Sequence, residues 1–211
     1  MCELCDTDLI ESAQNVCVCC SAPVGPYVFT DNGCQHCRAV KLKFGPVTRL
    51  GIYRNLMQIA CLRGKVTGGE HLIHGLARLL VREQHQQLID VGVDLVIPVP
   101  QHWQQRFRRS FNPAETIARV IASDLKVPCA THILRKTRST MTQKSLSVPE
   151  RKRNVRDAYT VDYPSEVKGQ TILLVDDVMT TGITANEITS TLRKSNCKRV
   201  SLAVIARVLQ D

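Results

Sequence analysis

The sequence has few aromatic residues and no long apolar segment. Phe, Trp and Tyr make up 4% of its 211 residues, so a buried core must consist mainly of aliphatic side chains. No apolar run approaches the ~20 residues that a membrane-spanning helix needs. The N-terminus also lacks the charged start and apolar stretch of a secretory signal. These absences predict a cytoplasmic protein with no membrane insertion.

Two common phosphate-binding motifs are missing as well. The sequence contains neither GxxxxGK[ST] nor GxGxxG, which excludes a P-loop and a Rossmann-type dinucleotide fingerprint. Six histidines are scattered along the chain, and we expect them to be structural or surface residues. The formal net charge is +9, which suits a polyanionic partner, either a pyrophosphate-bearing substrate or nucleic acid.

Cysteine is abundant, and seven of the ten cysteines lie in residues 1–40. The CxxC spacing in a cytosolic protein favours metal binding over disulfides, and Zn²⁺ takes four thiolates in tetrahedral geometry. We therefore predict a zinc-ribbon-like module at 1–40, too short to bury a core by itself, followed by a second domain at 41–211. The CxxC pairs are Cys2/Cys5, Cys17/Cys20 and Cys34/Cys37.

The second domain alternates between helical and extended patterns. The predicted helices are 52–64, 72–80, 114–121 and 185–192, and the predicted strands are 94–98, 131–134, 171–175 and 199–206. Residues 135–156 are polar and weakly periodic, which predicts a long mobile loop of the kind that often serves as a lid. Strands alternating with helices predict an α/β fold with a mostly parallel sheet.

Residues 172–184, IleLeuLeuValAspAspValMetThrThrGlyIleThr, carry the strongest functional signal. An apolar strand ends in Asp176 and Asp177, and in α/β sheets ligands bind at the carboxyl ends of strands. Two adjacent carboxylates suit the vicinal hydroxyls of a ribose. Backbone amides at the start of the next helix suit a phosphate, which Gly182 can approach closely. Three threonines flank this glycine and add hydroxyl donors: Thr180, Thr181 and Thr184.

Several motifs precede this loop in a fixed order. ValIleProValPro (96–100) is followed by ArgPheArgArgSerPheAsnPro (106–113), ThrArgSerThrMetThrGln (137–143) and ArgLysArgAsnVal (151–155). With cysteine pairs in front, the chain resembles the ComF/GntX family of phosphoribosyltransferase-like proteins, which are linked to competence and DNA utilisation. One departure is LeuArgGlyLys at 62–65, where that family usually has LeuLysPhe or LeuLysTyr.

The resemblance implies a type I phosphoribosyltransferase fold that binds phosphoribosyl pyrophosphate (PRPP) with Mg²⁺ and transfers its phosphoribosyl group to an unidentified acceptor. Asp176 and Asp177 would be the catalytic carboxylates and would hold the ribose hydroxyls. The 5-phosphate loop would include Val178, Thr180, Thr181, Gly182, Ile183 and Thr184. The turn at Val99, Pro100 and Gln101 would meet the pyrophosphate, and the 135–156 hood would clamp it with Arg135, Lys136, Arg138 and Lys144.

The resemblance also favours one zinc site, because CysValCysCysSerAlaPro (17–23) and CysGlnHisCys (34–37) look like the last ribbon of the family. The preferred structural Zn²⁺ ligands are Cys17, Cys20, Cys34 and Cys37, and the alternative set is Cys2, Cys5, Cys17 and Cys20.

A second functional hypothesis is a non-catalytic module that binds single-stranded DNA or competence proteins. Its candidate DNA contacts are Arg106, Arg108 and Arg109, which alternate with aromatic residues at 103, 107 and 111.

Overall fold

The computed structural model describes residues 7–10, 15–101, 111–140 and 148–209. The strands are Val47–Ile52 (β1), Leu95–Pro98 (β2), Leu134–Lys136 (β3), Tyr159–Val161 (β4), Thr171–Met179 (β5) and Arg199–Arg207 (β6). The principal helices are Asn55–Arg63 (α1), Glu70–Asp90 (α2), Pro113–Leu125 (α3), Val148–Val155 (α4), Pro164–Val167 (α5) and Ile183–Lys194 (α6). No helix in these ranges combines the length and apolar character needed to cross a membrane.

Four parallel strands form the central sheet in the order β1-β6-β5-β2. The register places Leu174 of β5 between Ile97 of β2 and Leu202 of β6. Strand β5 is apolar from Ile172 to Val175 because helices and loops cover both faces of the sheet. This arrangement confirms the predicted α/β fold with a mostly parallel sheet.

Alternate residues of β5 contact two different layers. Ile172 and Leu174 pack with α6 and the cysteine-rich segment, whereas Leu173 and Val175 pack with α2 and α3. A separate antiparallel pair, β3 and β4, lies outside the central sheet. Since β5 and β6 are parallel neighbours, the loops that follow them meet at the same edge of the sheet, between these two layers.

The cysteine-rich segment packs directly against the sheet domain. Its four buried cysteines belong to the same apolar cluster as Phe44, Val47 and the α6 face. A polar contact adds to this packing, since Arg49 Nε donates to the Ser21 carbonyl at 2.6 Å. Just after the segment, Asn186 Oδ1 accepts from the Lys43 amide at 2.7 Å. A segment too short to bury its own core thus shares the core of its neighbour.

Several element predictions need correction. The helix predicted from residue 52 begins at Asn55, because Ile52 ends β1, a strand whose buried Thr48 and Arg49 hide its apolar pattern. The strand predicted at 131–134 lies at Leu134–Lys136, because the preceding polar residues are exposed. The long loop predicted at 135–156 contains helix α4, which packs through Val155 although its sequence is polar.

Candidate functional site

A cleft of about 660 Å³ opens at the carboxyl end of β5. The two carboxylates predicted from sequence, Asp176 and Asp177, lie on one wall, and the turn that starts α6 forms another. The other lining residues come from the ends of β1 and β6, the turn after α1, and helix α4. The lining comprises Tyr53, Lys65, Arg151, Asp176, Asp177, Val178, Met179, Thr180, Gly182, Ile183, Thr184, Ala185, Leu202 and Val208.

The two aspartates have different electrostatic environments. Asp176 Oδ1 accepts a hydrogen bond from the Asp177 amide at 2.9 Å. Burial and the neighbouring Asp177 charge raise the pKa of Asp176 to about 8, although its own bond from that amide and the Lys65 charge act in the opposite direction. Asp177 pairs directly with a cation. One carboxyl therefore holds its proton near neutral pH, and the other has a cation as its partner.

That cation is Lys65, whose Nζ lies 2.5 Å from Asp177 Oδ2. Burial alone would lower the pKa of Lys65, but the Asp177 charge raises it above its ordinary value. Lys65 follows Gly64, the residue that ends α1, so a helix terminus positions it over the cleft. Sequence reasoning noted the 62–65 segment only as a departure from the family and did not assign Lys65 to the site.

The loop between β5 and α6 is shaped by Gly182. This residue has φ +78°, and a Cβ there would lie 2.8 Å from Met179 Cε and 2.9 Å from Leu42 Cδ2. Thr180 and Thr184 line the cleft. Thr181 is instead buried, and its Oγ1 accepts from the Ile183 amide at 3.4 Å, so it shapes the loop. The start of α6 thus presents backbone amides and hydroxyls to the cleft.

The turn after β2 lies next to the end of β5. The Val99 amide donates to the Val175 carbonyl at 2.8 Å, and the Val99 carbonyl accepts from Asn112 Nδ2 at 3.0 Å. Gln101 Oε1 is buried and has no hydrogen-bond partner among the described residues. The sheet therefore brings Val99, Pro100 and Gln101 beside the strand that carries the two aspartates.

The predicted hood residues face different ways. Arg135 forms a paired contact with Asp162, at 2.8 and 2.9 Å, on the exposed side of β3. Lys136, the next residue, is held over the Tyr159 ring at 5.8 Å from its centroid, and its Nζ donates to Thr140 Oγ1 at 2.8 Å. Burial lowers the pKa of Lys136, while the Asp176 charge opposes this shift. Of these two, Lys136 is the one directed toward the aspartates.

The remaining hood cations are distributed around α4. Arg138 donates to the carbonyls of Arg153 and Arg156, at 3.5 and 2.6 Å. Arg151 of α4 lines the cleft; it opens the motif at 151–155, to which the sequence assigned no role in the site. Lys144 lies outside the described residues, as do Arg106, Arg108 and Arg109.

The preferred cysteine set forms one compact group. The Sγ atoms of Cys17, Cys20, Cys34 and Cys37 lie within 4.8 Å of one another, and all four residues are buried. Measured separations are 3.8 Å for Cys17–Cys37, 3.6 Å for Cys20–Cys34 and 3.9 Å for Cys34–Cys37. Tetrahedral Zn²⁺ with Zn–S bonds of about 2.3 Å places sulfurs about 3.8 Å apart. The donor set therefore fits Zn²⁺.

Burial raises the pKa of Cys20 to about 11, and the charge of the nearby Arg207 guanidinium acts in the opposite direction. Cys2 and Cys5, of the alternative set, lie outside the part of the chain that the structure describes.

Residues 107–211 match the model of the phosphoribosyl transferase domain family. Competence protein F of Haemophilus influenzae is 28% identical over 82% of this chain and 78% of its own length. The DNA utilization protein YhgH of Salmonella typhimurium is 26% identical over 99% and 97%, and that of Escherichia coli K12 is 32% identical over 69% and 64%.

Two solved structures also resemble the chain. The allosteric regulatory enzyme of purine biosynthesis is 23% identical over 63% of this chain and 25% of its own, with a TM-score of 0.42. Purine phosphoribosyltransferase from Pyrococcus horikoshii Ot3 is 14% identical over 76% and 78%, with a TM-score of 0.36. These structural similarities are too weak to add to the domain match and the relatives, which support a ComF-family protein with a phosphoribosyltransferase-like domain.

Proposed function

We propose that the cleft at the end of β5 binds PRPP and that the protein transfers its phosphoribosyl group to an acceptor. The observation that carries this proposal is the pairing of Asp176 and Asp177 with the Gly182 turn at the start of α6. Carboxylate oxygens accept hydrogen bonds from the two ribose hydroxyls. The loop from Thr180 to Thr184 supplies backbone amides and hydroxyls to the 5-phosphate, where the helix dipole favours negative charge.

The pyrophosphate lies on the side of the turn Val99–Gln101 and the hood in this proposal. Lys136 and Arg151 then provide positive charge to the leaving group as the C1–O bond breaks. The acceptor atom forms the new bond to C1 and releases a proton. Asp176 and Asp177 would hold Mg²⁺ through their carboxylate oxygens, with Asp176 losing its proton, and the ion would supply positive charge to the departing pyrophosphate.

The four clustered cysteines hold one structural Zn²⁺ ion in the same proposal. Their separations support it, since they already match a tetrahedral thiolate site. The ion closes the segment 1–40 into a ribbon-like module that docks on the 41–211 domain. A stoichiometry of one zinc per chain, lost in Cys34→Ser, is the expected metal analysis.

The transfer reaction is tested by release of pyrophosphate from PRPP in the presence of Mg²⁺, with and without candidate acceptors. Asp177→Asn removes the ionised carboxylate and is expected to abolish turnover. Asp90→Asn is a matched control, because Asp90 is an exposed carboxylate at the end of α2 that accepts from Gln86 Nε2. Wild-type turnover no faster than that of Asp177→Asn would refute the transferase activity. Calorimetry with PRPP then distinguishes a protein that binds PRPP without turnover from one that does not bind it.

A second candidate function, binding of single-stranded DNA, is favoured by two exposed aromatic rings. Tyr27 is 97% exposed and Phe29 is 93% exposed, both in the cysteine-rich module. Exposed aromatics provide stacking surfaces for unpaired bases, and the chain carries a net charge of +9. The names of the relatives, Competence protein F and DNA utilization protein, also connect this family with DNA.

Fluorescence anisotropy with a labelled oligonucleotide tests DNA binding. The double variant Tyr27→Ser/Phe29→Ser is expected to weaken binding about tenfold or more, at ~1–3 kcal/mol per stacked base. Arg108→Ala/Arg109→Ala is expected to reduce the salt dependence of the affinity. Unchanged affinity in both variants would remove these residues as the DNA surface.

A further inference from the structure

Arg207 is a fully buried arginine at the carboxyl end of β6. The sheet register pairs it with Ile52 of β1 on one side and Met179 of β5 on the other. Met179 immediately precedes the loop that starts α6. The end of β6 therefore places a buried cation directly beneath the proposed 5-phosphate loop.

The guanidinium of Arg207 connects two parts of the chain. Its Nη1 donates to the carbonyls of Thr180, Val208 and Met179, the last at 3.3 Å. Its Nη2 donates to the carbonyl of His36 at 3.3 Å. His36 lies inside the Cys34-x-x-Cys37 pair. One side chain thus bonds both the loop after β5 and the cysteine cluster.

The bonds to Met179 and Thr180 have consequences for the loop amides. A peptide group is planar and trans, so fixing a carbonyl also fixes the N–H of the next residue, which points the opposite way. The Met179 carbonyl sets the Thr180 N–H, and the Thr180 carbonyl sets the Thr181 N–H. The Met179 carbonyl also accepts from the Val208 amide at 2.8 Å, so Arg207 shares the orientation of the Thr180 amide with the sheet and acts on the Thr181 amide through the Thr180 carbonyl.

The charge of Arg207 needs a partner within the protein, because a buried unpaired ion is costly. Among the described residues, no carboxylate forms an ion pair with it. One group that can carry compensating charge is the cysteine cluster, which Arg207 reaches through the His36 carbonyl. Four thiolates with one Zn²⁺ carry a net charge of −2. The metal–thiolate group is therefore suited to balance the buried guanidinium.

We propose that Arg207 is a positioning residue that orients the amides of the 5-phosphate loop, and that the zinc–thiolate cluster balances its charge. Metal binding at the cysteines and phosphate-ester binding at the loop are then coupled, and each raises the affinity for the other. This coupling rests on the proposed PRPP site. The positioning role of Arg207 does not require a ligand and is tested separately.

The first test is hydrogen exchange of the zinc-loaded protein without ligand. Arg207→Lys keeps the charge but loses the planar fork that reaches several carbonyls. We expect amides 180–184 to exchange about 2- to 10-fold faster for each lost bond. Arg49→Lys is the matched control, because Arg49 is also buried and also donates to a carbonyl of the cysteine-rich module, that of Ser21. Equal exchange of 180–184 in the wild type and Arg207→Lys would overturn the positioning role.

A test without any substitution compares the wild-type protein before and after zinc removal. We expect faster exchange at 180–184 and little change in the α2 core around Leu76. An equal increase in both regions would mean that zinc acts on global stability alone. That result would overturn the route through Arg207, and it remains informative if Arg207→Lys fails to fold.

The coupling is tested by zinc release to a colorimetric chelator, with and without saturating ribose 5-phosphate. We expect the ligand to lengthen the release half-time about threefold or more in the wild type, and to leave it unchanged in Arg207→Lys. Calorimetry on the same samples measures ligand binding. No binding to the wild type would refute the proposed phosphate site, and with it the coupling. Binding without any change in zinc release would refute the coupling alone.

Discussion

Replacing Asp176 by asparagine should make the protein more stable while removing its proposed function. Asp176 lies beside Asp177, and Lys65 is the cation paired with one of the two. Burial and the like charge raise the pKa of Asp176 to about 8 from its ordinary 3.8. Asparagine keeps the shape and the Oδ1 acceptor for the Asp177 amide but never carries the charge. Ionisation of the Asp176 carboxyl therefore lowers the free energy of unfolding.

The sign and size of the effect follow from proton linkage. Between pH 4 and 8 the folded state holds a proton on Asp176 that the unfolded state has lost, so the free energy of unfolding falls as pH rises. The full effect is about 1.4 kcal/mol per pH unit. Partial exposure and solvent screening reduce it, and we expect a loss of ~1–2 kcal/mol between pH 6 and 8. This loss is absent in Asp176→Asn.

Urea unfolding at pH 6, 7 and 8 with buffered zinc measures this difference. The stability of Asp176→Asn relative to the wild type should increase by ~1–2 kcal/mol across that range. Asp90→Asn, at an exposed carboxylate, should follow the wild-type profile. Parallel profiles for the wild type and Asp176→Asn, within ~0.3 kcal/mol, would refute the raised pKa and with it the electrostatic account of the site.

Three further outcomes are expected. Gly182→Ala should lower the free energy of unfolding by ~1–3 kcal/mol and weaken PRPP binding. Gly92 also has a positive φ, but an added Cβ there would meet no atom, so Gly92→Ala should cost only the smaller backbone strain. Equal urea midpoints for both variants would contradict the crowding at Gly182. Lys136→Met should raise the PRPP dissociation constant, measured by calorimetry, about tenfold. Arg135→Met should leave this constant unchanged, because Arg135 pairs with Asp162 on the exposed side of β3. A larger effect of Arg135→Met than of Lys136→Met would contradict the placement of β3. Cys34→Ser should reduce bound zinc from one ion per chain to none and lower the thermal midpoint, and full zinc retention would refute the four-cysteine site.

The sequence predicted the parts of the fold whose signals are local. The strands predicted at 94–98, 171–175 and 199–206 are confirmed. They could be predicted because continuous apolar runs are typical of strands buried on both faces. Helix α3 begins as expected, with Asn112 Oδ1 accepting from the Ala114 amide at 3.2 Å and Pro113 in the first turn. These features depend on neighbours in the chain, which a sequence displays directly.

Elements that depend on distant contacts were predicted less well. Strand β1 carries Thr48 and Arg49 in buried positions, and Arg49 is tolerated there because it donates to the Ser21 carbonyl of the cysteine-rich segment. Helix α4 is mostly polar. It is held by Val155, which packs on Ile183, and by the Asp157 amide just after the helix, which donates to Glu187. Neither partner is visible in the local sequence, so periodicity predicted a loop.

The site shows the same division between local and distant signals. Asp176, Asp177 and the threonine–glycine turn could be predicted because one strand–turn–helix contains them all. The CxxC spacing identified each cysteine pair but left two sets of four open. The set that the family resemblance favoured is the one that the structure brings together. Arg151 and Arg207 reach the same region from elements far away in the chain. The motif at 151–155 contains Arg151 but did not assign it to the cleft, and none of the motifs contains Arg207.

The segment at 62–65 shows how a departure from a pattern can still serve a site. LeuArgGlyLys differs from the family form that the sequence resembles, yet it ends α1 with Gly64 and delivers Lys65 to Asp177. The requirement at this position is a cation within reach of a half-buried carboxylate, because an unpaired Asp177 beside Asp176 would be strongly disfavoured. Only the position of the ammonium matters for that requirement, and the residues that lead up to it can vary. At the proposed PRPP site, the Lys65–Asp177 pair must open before Asp177 can accept hydrogen bonds from ribose hydroxyls. We therefore expect Lys65 to set the electrostatic balance between the empty and the occupied cleft.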